Sequence, residues 1–272
     1  MNTFFTVGGV QLHYQEWGHP TAPSLMLLHG GAAQAHWWDH LAPVLAEQYH
    51  VVAPDLRGHG DSSWVSPPAY EIEDYVGDVE EILTALHLVS PVLIGHSLGG
   101  FIALSYAARA AKTLRGLIVV DMGFRLKSSR LMRLLRNLPA PIYQDESDLL
   151  RQFQLLPGET TASPALLHHI VRTSAQPLET GGFTLKFDRA TMVRQPRDLS
   201  TVLSQITCPT LVLRGSHSQH LTMATLTDMV HRCPRARGVE IPDAGHHVLL
   251  DNPMAFLNAV RDFLRQEVEG HR

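Results

Sequence analysis

Cysteine is nearly missing: Cys208 and Cys233 are the only two in 272 residues, and neither stands in a C-x-x-C or other metal-ligating spacing. That excludes a disulfide scaffold and a zinc ribbon, and sets the expectation of a reduced, cytoplasmic chain. Long apolar runs are missing as well. No stretch approaches the ~18 apolar residues that span a bilayer. The opening MNTFFTVGG has neither a basic start nor an unbroken apolar segment, so no secretory signal and no membrane partner are expected. Excess basic charge is also lacking: 22 Lys and Arg face 26 Asp and Glu, for a net charge of −4, which offers no attractive field to nucleic acid. No G-x-G-x-x-G follows an apolar run and no G-x-x-x-x-G-K occurs. Dinucleotide and ATP chemistry therefore have no phosphate cradle. Nothing in the sequence specifies an oligomeric state.

What is present is ordinary for a globular domain, with 44% apolar and 18% charged residues. FFTVGGVQLHYQEWG alternates apolar and polar residues around Gly8–Gly9, which predicts an opening hairpin with a primed turn. LMLLHGG, HVVAPDLRGHG, PVLIGHSLGG, LRGLIVVD, TLVLRG and VEIPDAGHH then repeat one format: a short apolar run closed by a polar or glycine-rich turn. Runs without alternation predict strands buried on both faces, as in a parallel sheet. HWWDHLAPVLAEQ, IEDYVGDVEEILTALH, GGFIALSYAARAA and MAFLNAVRDFLRQEV have helical spacing and fill the gaps. The fold class is α/β, an open sheet with right-handed crossovers.

Residues 123–206 break this rhythm. RLMRLLRNL, DLLRQFQLLP and PALLHHIVRTS predict helical pieces interrupted by prolines, and GGFTLKFD predicts a strand. So long a segment between two core strands is far beyond an ordinary loop. It is expected to be an inserted lid over the strand ends, where such sheets bind ligands, with its apolar faces packed on the core.

The strongest chemical signal is GHSLGG, a G-x-S-x-G between a predicted strand and a predicted helix. In that setting Ser97 occupies a strained turn that presents its hydroxyl, and the backbone N–H of Leu98, at the helix N-terminus, faces a developing oxyanion. LLHGGAAQAHWW supplies a second donor, the N–H of Gly31, with Ala32 as a further possibility; His29 reads as a structural histidine. PDAGHHVLLDNP places His246 directly after a glycine turn, as the candidate general base, and makes His247 a partly exposed neighbour that packs the lid. Trp37, Trp38, Met122 and Phe124 flank these motifs and predict an apolar substrate wall. Histidine is the one unusual count, at 17. Pairs such as His168–His169 have no carboxylate or cysteine at ligand spacing and read as surface residues, so no metal site is expected.

HGG, PDLRGHGDS, GHSLGG, the insertion, PTLVLRG and DAGH follow one another in this order, and in that order the chain resembles the α/β-hydrolase family from about Val7 to its last helix. The resemblance implies a mainly parallel eight-stranded sheet flanked by helices, with residues 1–122 and 207–272 as the core and 123–206 as the lid. It also implies a Ser–acid–His triad and no cofactor. Asp55, Arg57 and His59 are implied to be a hydrogen-bonded turn beside the site.

One departure matters. Where family members with an RGxxSD loop carry the triad aspartate, RGSHSQH has Gln219, and an amide cannot stabilise an imidazolium. In a serine protease an acid-to-amide change at this role lowers turnover ~10⁴-fold. Asp121 ends the strand after the nucleophile strand, and neighbouring strands lie ~4.8 Å apart, so Asp121 is the expected substitute. Asp243, Asp251 and an acid-free dyad remain alternatives. His217, Gln219 and His220 are expected on the rim, and a metal held by His217, His220 and His246 is weakly supported by their spacing. The expected activity is hydrolysis of a small carboxylic ester or lactone through an acyl-enzyme. Carbon–carbon bond hydrolysis, cofactor-free oxygenation, and a ligand-binding receptor with weak turnover are the rivals. Haloalkane dehalogenation is disfavoured because its nucleophile is a carboxylate and position 97 is serine.

Overall fold

The computed structural model describes residues 3–127 and 129–269; positions 1–2 and 270–272 of the expected core, and 128 of the expected lid, lie outside them. Eight strands form one sheet: β1 (Thr3–Val7), β2 (Val10–Trp17), β3 (Ser24–Leu28), β4 (His50–Pro54), β5 (Val92–His96), β6 (Gly116–Val120), β7 (Thr210–Gly215) and β8 (Ala236–Ile241), in spatial order β1-β2-β4-β3-β5-β6-β7-β8. β2 pairs antiparallel with β1 and with β4, and every other pairing is parallel. The hairpin turn has positive φ at both Gly8 and Gly9 (51° and 87°), which a primed two-residue turn requires.

The apolar runs lack alternation because both faces of the sheet are covered. Leu93, Leu117, Val119 and Val212 pack on one side, with helices α1 (Ile72–Ala85), α2 (Leu98–Ala110) and α6 (Met223–Arg232). Val92, Ile94, Ile118, Val120, Leu211 and Leu213 pack on the other, with Trp37, Trp38 and helix α7 (Pro253–Phe263). Each such buried side chain contributes ~1.5–3 kcal/mol over exposure. α7 opens on Pro253, with the Asn252 side chain accepting from the Ala255 N–H, a favoured way to start a helix. The continuous helix expected over 36–48 does not form. Instead a 3₁₀ turn (Ala35–Trp38) and a single turn (Ala42–Leu45) flank a break, because Pro43 is tolerated only in a first helical turn.

Between β6 and β7 the insertion carries helices α3 (Arg130–Asn137), α4 (Glu146–Gln152) and α5 (Pro164–Thr173), plus two small antiparallel pairs, Ala175–Pro177 with Phe183–Leu185 and Arg125–Leu126 with Arg197–Asp198. Ile170, Leu203 and Ile206 are wholly buried in the main core. The insertion grips turns beyond the strand ends: Gly60 N–H donates to Lys186 O, Asp188 N–H to Gly58 O, and Thr161 N–H to the Asp251 carboxylate. Among the described residues, no helix is long and apolar enough to cross a membrane.

Candidate active site

β5 and β6 end side by side, and each end is forced into an unusual turn. Ser97 (φ 51°) and Asp121 (φ 48°) both have left-handed backbone, a conformation that costs a non-glycine residue of order 1 kcal/mol or more and marks functional turns. The turn at Ser97 closes only because its flanking residues lack side chains. A Cβ on Gly95 would lie 2.3 Å from the Gly99 carbonyl oxygen, and one on Gly99 would lie 2.3 Å from that of Leu28. The Ser97 N–H donates to Val120 O at 3.0 Å, and the Asp121 N–H to Leu213 O at 2.8 Å, so adjacent strands fix both residues.

His246 arrives on the turn after β8. Its Nε2 lies 2.9 Å from Ser97 Oγ and its Nδ1 lies 2.8 Å from Asp121 Oδ2. With Nδ1 protonated and donating to the carboxylate, Nε2 is free to accept the serine proton. Asp121 is wholly buried and takes two further donors: Ser218 Oγ at 2.5 Å on Oδ2 and the Gly215 N–H at 3.1 Å on Oδ1. Burial pushes the Asp121 carboxyl up to about 6, against the pull of those two donors. Burial holds the His246 imidazole well below the usual histidine range, and His220 and His247 add to that shift. At pH 7 the pair is therefore a carboxylate beside a neutral imidazole, the form that a general base needs.

The loop that carries an acid in the resembled family contributes a different group here. Gln219 is exposed and its amide faces its own loop, 3.4 Å from His217 O. The preceding residue, Ser218, clamps Asp121. His220 stacks on His246, with ring centroids 4.1 Å apart. His217 is exposed. Ser218 carried no signal in the sequence, because a serine in a polar loop looks the same whether or not it faces a carboxylate. The alternative acids act elsewhere: Asp251 braces the Gly245 N–H at 2.8 Å and the Thr160 hydroxyl at 2.5 Å, and Asp243 is exposed.

The loop after β3 lies against the serine. A Cβ on Gly30 would stand 3.3 Å from Ser97 Cβ, and one on Gly31 would stand 4.0 Å from Leu98 Cδ2. Among the described residues, the backbone N–H groups of Gly31 and Leu98 donate to no protein acceptor. His29 is structural: its Nδ1–H donates to Gly30 O at 2.7 Å, and its Nε2 accepts from the Leu56 N–H at 2.9 Å. Asp55 is structural too, binding His13, Ala35 and Asp61, and Arg57 forks onto Asp78 with both bonds at 2.6 Å.

The expected substrate wall needs correction. Trp38 is wholly buried against Phe256, and Phe124 is buried between the Arg125 and Arg232 guanidinium groups. Both are core, because an aromatic next to a site motif is equally well placed to fill the sheet's covering layer. Trp37 is buried behind the site, stacked on His96 and edge-on to His247. Met122 alone of the four is half-buried, above Gly100. His247 does pack the insertion, donating to Pro157 O at 2.8 Å, but it is buried rather than partly exposed. His96, which the sequence did not single out, donates from Nε2 to His246 O at 2.9 Å and so steadies the base through its backbone.

Residues 25–260 match the family described as the alpha/beta hydrolase family. The chain is 27% identical to a 3-hydroxybutyrate-oligomer hydrolase of Cupriavidus necator, over 87% of each sequence. It is also 27% identical to an esterase of Mycobacterium tuberculosis, over 91% of this chain and 84% of the relative. The crystal structure of E-2-(acetamidomethylene)succinate hydrolase has the same fold, with a TM-score of 0.85 at 23% identity, covering 97% of this chain and 99% of that one.

Proposed function

The chain belongs to the alpha/beta hydrolase family, and from that premise we propose that it is a serine hydrolase that cleaves a small carboxylic ester or lactone through an acyl-enzyme. The observation that carries the reading is the unbroken relay from Ser97 Oγ through both nitrogens of His246 to a buried carboxylate, at 2.9 and 2.8 Å. His246 takes the serine proton as the alkoxide attacks the carbonyl carbon. The N–H groups of Leu98 and Gly31 receive the oxyanion, a pairing whose single donors are each worth ~10²–10³ in rate elsewhere. The imidazolium, stabilised by Asp121, returns its proton to the leaving alcohol. Water, deprotonated by the same histidine, then attacks the acyl carbon, and collapse of the second oxyanion frees Ser97 and the acid.

The named activities of the oligomer hydrolase and the esterase support ester chemistry for this chain. The receptor alternative drew its strength from Gln219, and a carboxylate already bonded to His246 takes that support away. Residues 123–206 act as the lid in this reading, supported by their grip on the Asp55–Asp61 and Asp243–Asp251 turns. Met122, the half-buried one of the four expected wall residues, is the proposed substrate contact.

The test is pre-steady-state hydrolysis of p-nitrophenyl acetate and butyrate. A burst of p-nitrophenol approaching one per chain, absent in Ser97→Ala, is the expected result. Steady turnover that survives Ser97→Ala contradicts the acyl-enzyme.

A further inference from the structure

Outside the serine site, a second group of chemistry-bearing side chains meets where the insertion docks on the core. His36 and Asp39 lie on and just after the 3₁₀ turn Ala35–Trp38, and His169 reaches them from α5. Their ligand atoms (one nitrogen from each imidazole and one carboxylate oxygen) all lie within 4.8 Å of one another. Asp39 Oδ2 is 2.8 Å from His36 Nδ1 and 2.7 Å from His169 Nε2. The carboxylate comes from 130 residues away in the chain, which is why no ligand spacing is visible around His168–His169.

Hydrogen bonding alone leaves this cluster poorly satisfied. Asp39 Oδ1 is buried without a partner, and such an oxygen costs roughly 1–3 kcal/mol or more when left unmet. His36 Nδ1 is also claimed twice, since the Gln15 side-chain amide nitrogen lies 2.6 Å from it. One imidazole nitrogen cannot donate to a carboxylate and accept from an amide N–H at once. Rotating the Gln15 amide by 180° turns Oε1 toward His36 Nδ1, which sets an amide oxygen beside the three clustered ligand atoms.

We propose that His36, Asp39 and His169, with Gln15 as fourth donor, bind a divalent transition ion of the zinc class that clips the insertion to the core. Two imidazoles with oxygen donors suit zinc rather than calcium or magnesium, which take all-oxygen sets. Metal–ligand bonds of ~2.0–2.2 Å in a tetrahedral shell put ligand atoms ~3.4 Å apart. The two imidazole–carboxylate contacts, at 2.8 and 2.7 Å, therefore open by ~0.6–0.7 Å, which the partial exposure of 30%, 24% and 43% permits. Ligation uses the unprotonated nitrogen of each ring, so the ring proton moves to the other nitrogen through solvent, to Nε2 in His36 and to Nδ1 in His169. The clip reinforces a contact already present on the same surface, where Gln34 Nε2–H donates to Thr173 Oγ1 at 2.8 Å. Gln34 lies in the loop that follows Gly31, so the ion connects the insertion's docking to the oxyanion side of the site.

The experiment is titration of Zn²⁺ into the full-length protein, prepared without a histidine tag and stripped with EDTA, by calorimetry, with Co²⁺ absorption as a second readout. Binding and spectrum are read without reference to ester turnover, so they stand or fall independently of the proposed activity. One Zn²⁺ per chain is expected to bind, with a tetrahedral Co²⁺ d–d band. His169→Ala and Asp39→Asn are expected to weaken this binding by about 100-fold or more, beyond the ~10–100-fold typical of losing a group that merely orients a ligand. His168→Ala, on an exposed neighbour, is expected to leave it unchanged. Absence of saturable binding, or binding undiminished in a folded His169→Ala, overturns the proposal. Circular dichroism verifies the fold, and if Asp39→Asn fails that check the partly exposed His169 variant decides alone.

Discussion

Val92 to Val120 carry β5, α2 and β6 to the serine and the aspartate, and nearly every residue of these three elements is buried. Helix α3, which begins ten residues after Val120, buries none of its side chains, and Leu131 and Leu134 stand more than half exposed. The contrast is one of constraint. In the first region backbone meets backbone, so glycine at 95 and 99 and apolar residues at each strand position are dictated by contact. In the second, an amphipathic helix satisfies its own hydrogen bonds, and a wide set of sequences serves equally well. Tight geometry at the strand ends fixes the positions of Ser97 and Asp121, whereas helix α3 leaves its own sequence weakly constrained.

The sharpest way to break this contrast is to add one methyl group in each region. Gly99→Ala places a Cβ 2.3 Å from the Leu28 carbonyl oxygen, whereas at Gly158 the nearest contact is an ordinary 3.8 Å. The first change is expected to cost ~3 kcal/mol or more, at the upper end of overpacking, and the second to stay within ~0.5 kcal/mol. Urea unfolding measures both, and equal costs would erase the distinction.

Ser218→Ala removes the hydroxyl from Asp121 Oδ2. A hydrogen bond to a charged group is worth ~1.5–3 kcal/mol, so kcat is expected to fall about tenfold or more. The acid limb of the pH–rate profile should move upward, because a donor that lowers the carboxyl pKa is gone. In the unaltered protein that limb belongs to the coupled Asp121–His246 pair and is expected near pH 6, with activity lost below it as the pair gains a proton. An unshifted limb in Ser218→Ala contradicts the clamp.

Stability has its own pH dependence. Burial lowers the pKa of His29, His59, His96 and His246 below 6.5, so each keeps a neutral ring in the fold that the unfolded chain would protonate. Their contribution is complete above pH 6.5 and is lost as pH falls below it. Asp121, raised from 3.8 to about 6, and Asp78, also raised by burial, act in the opposite sense, but burial lowers His40 and His247 as well, so two groups stand against six. Tm is expected to fall steadily from pH 7 to pH 5, and a flat Tm over that range would contradict the assignment. The smallest effect belongs to the insertion: Leu134→Gln, at a side chain 58% exposed, should shift stability by no more than ~0.5 kcal/mol.

The same contrast explains what was legible in the sequence. The eight strands, Ser97 and His246 could be read because burial on both faces and a glycine-walled turn leave few alternatives. Asp121 could be reached from its place at the end of the strand beside the serine. Trp38 and Phe124 misled because proximity to a motif in sequence says nothing about which side of the sheet a ring covers. The helix expected over 36–48 failed on a single proline. Ser218, His96 and the Asp39–His169 meeting were invisible, since each depends on residues brought together from distant parts of the chain.

The account turns on Asp121 serving as the acid that Gln219 does not supply. Its most direct test is the kcat for a short-chain p-nitrophenyl ester in Asp121→Asn beside Gln219→Asp, with circular dichroism to verify both folds. Loss of about 10⁴-fold in the first variant, with the second near the parent rate, is the predicted result. Full turnover in a folded Asp121→Asn would contradict it.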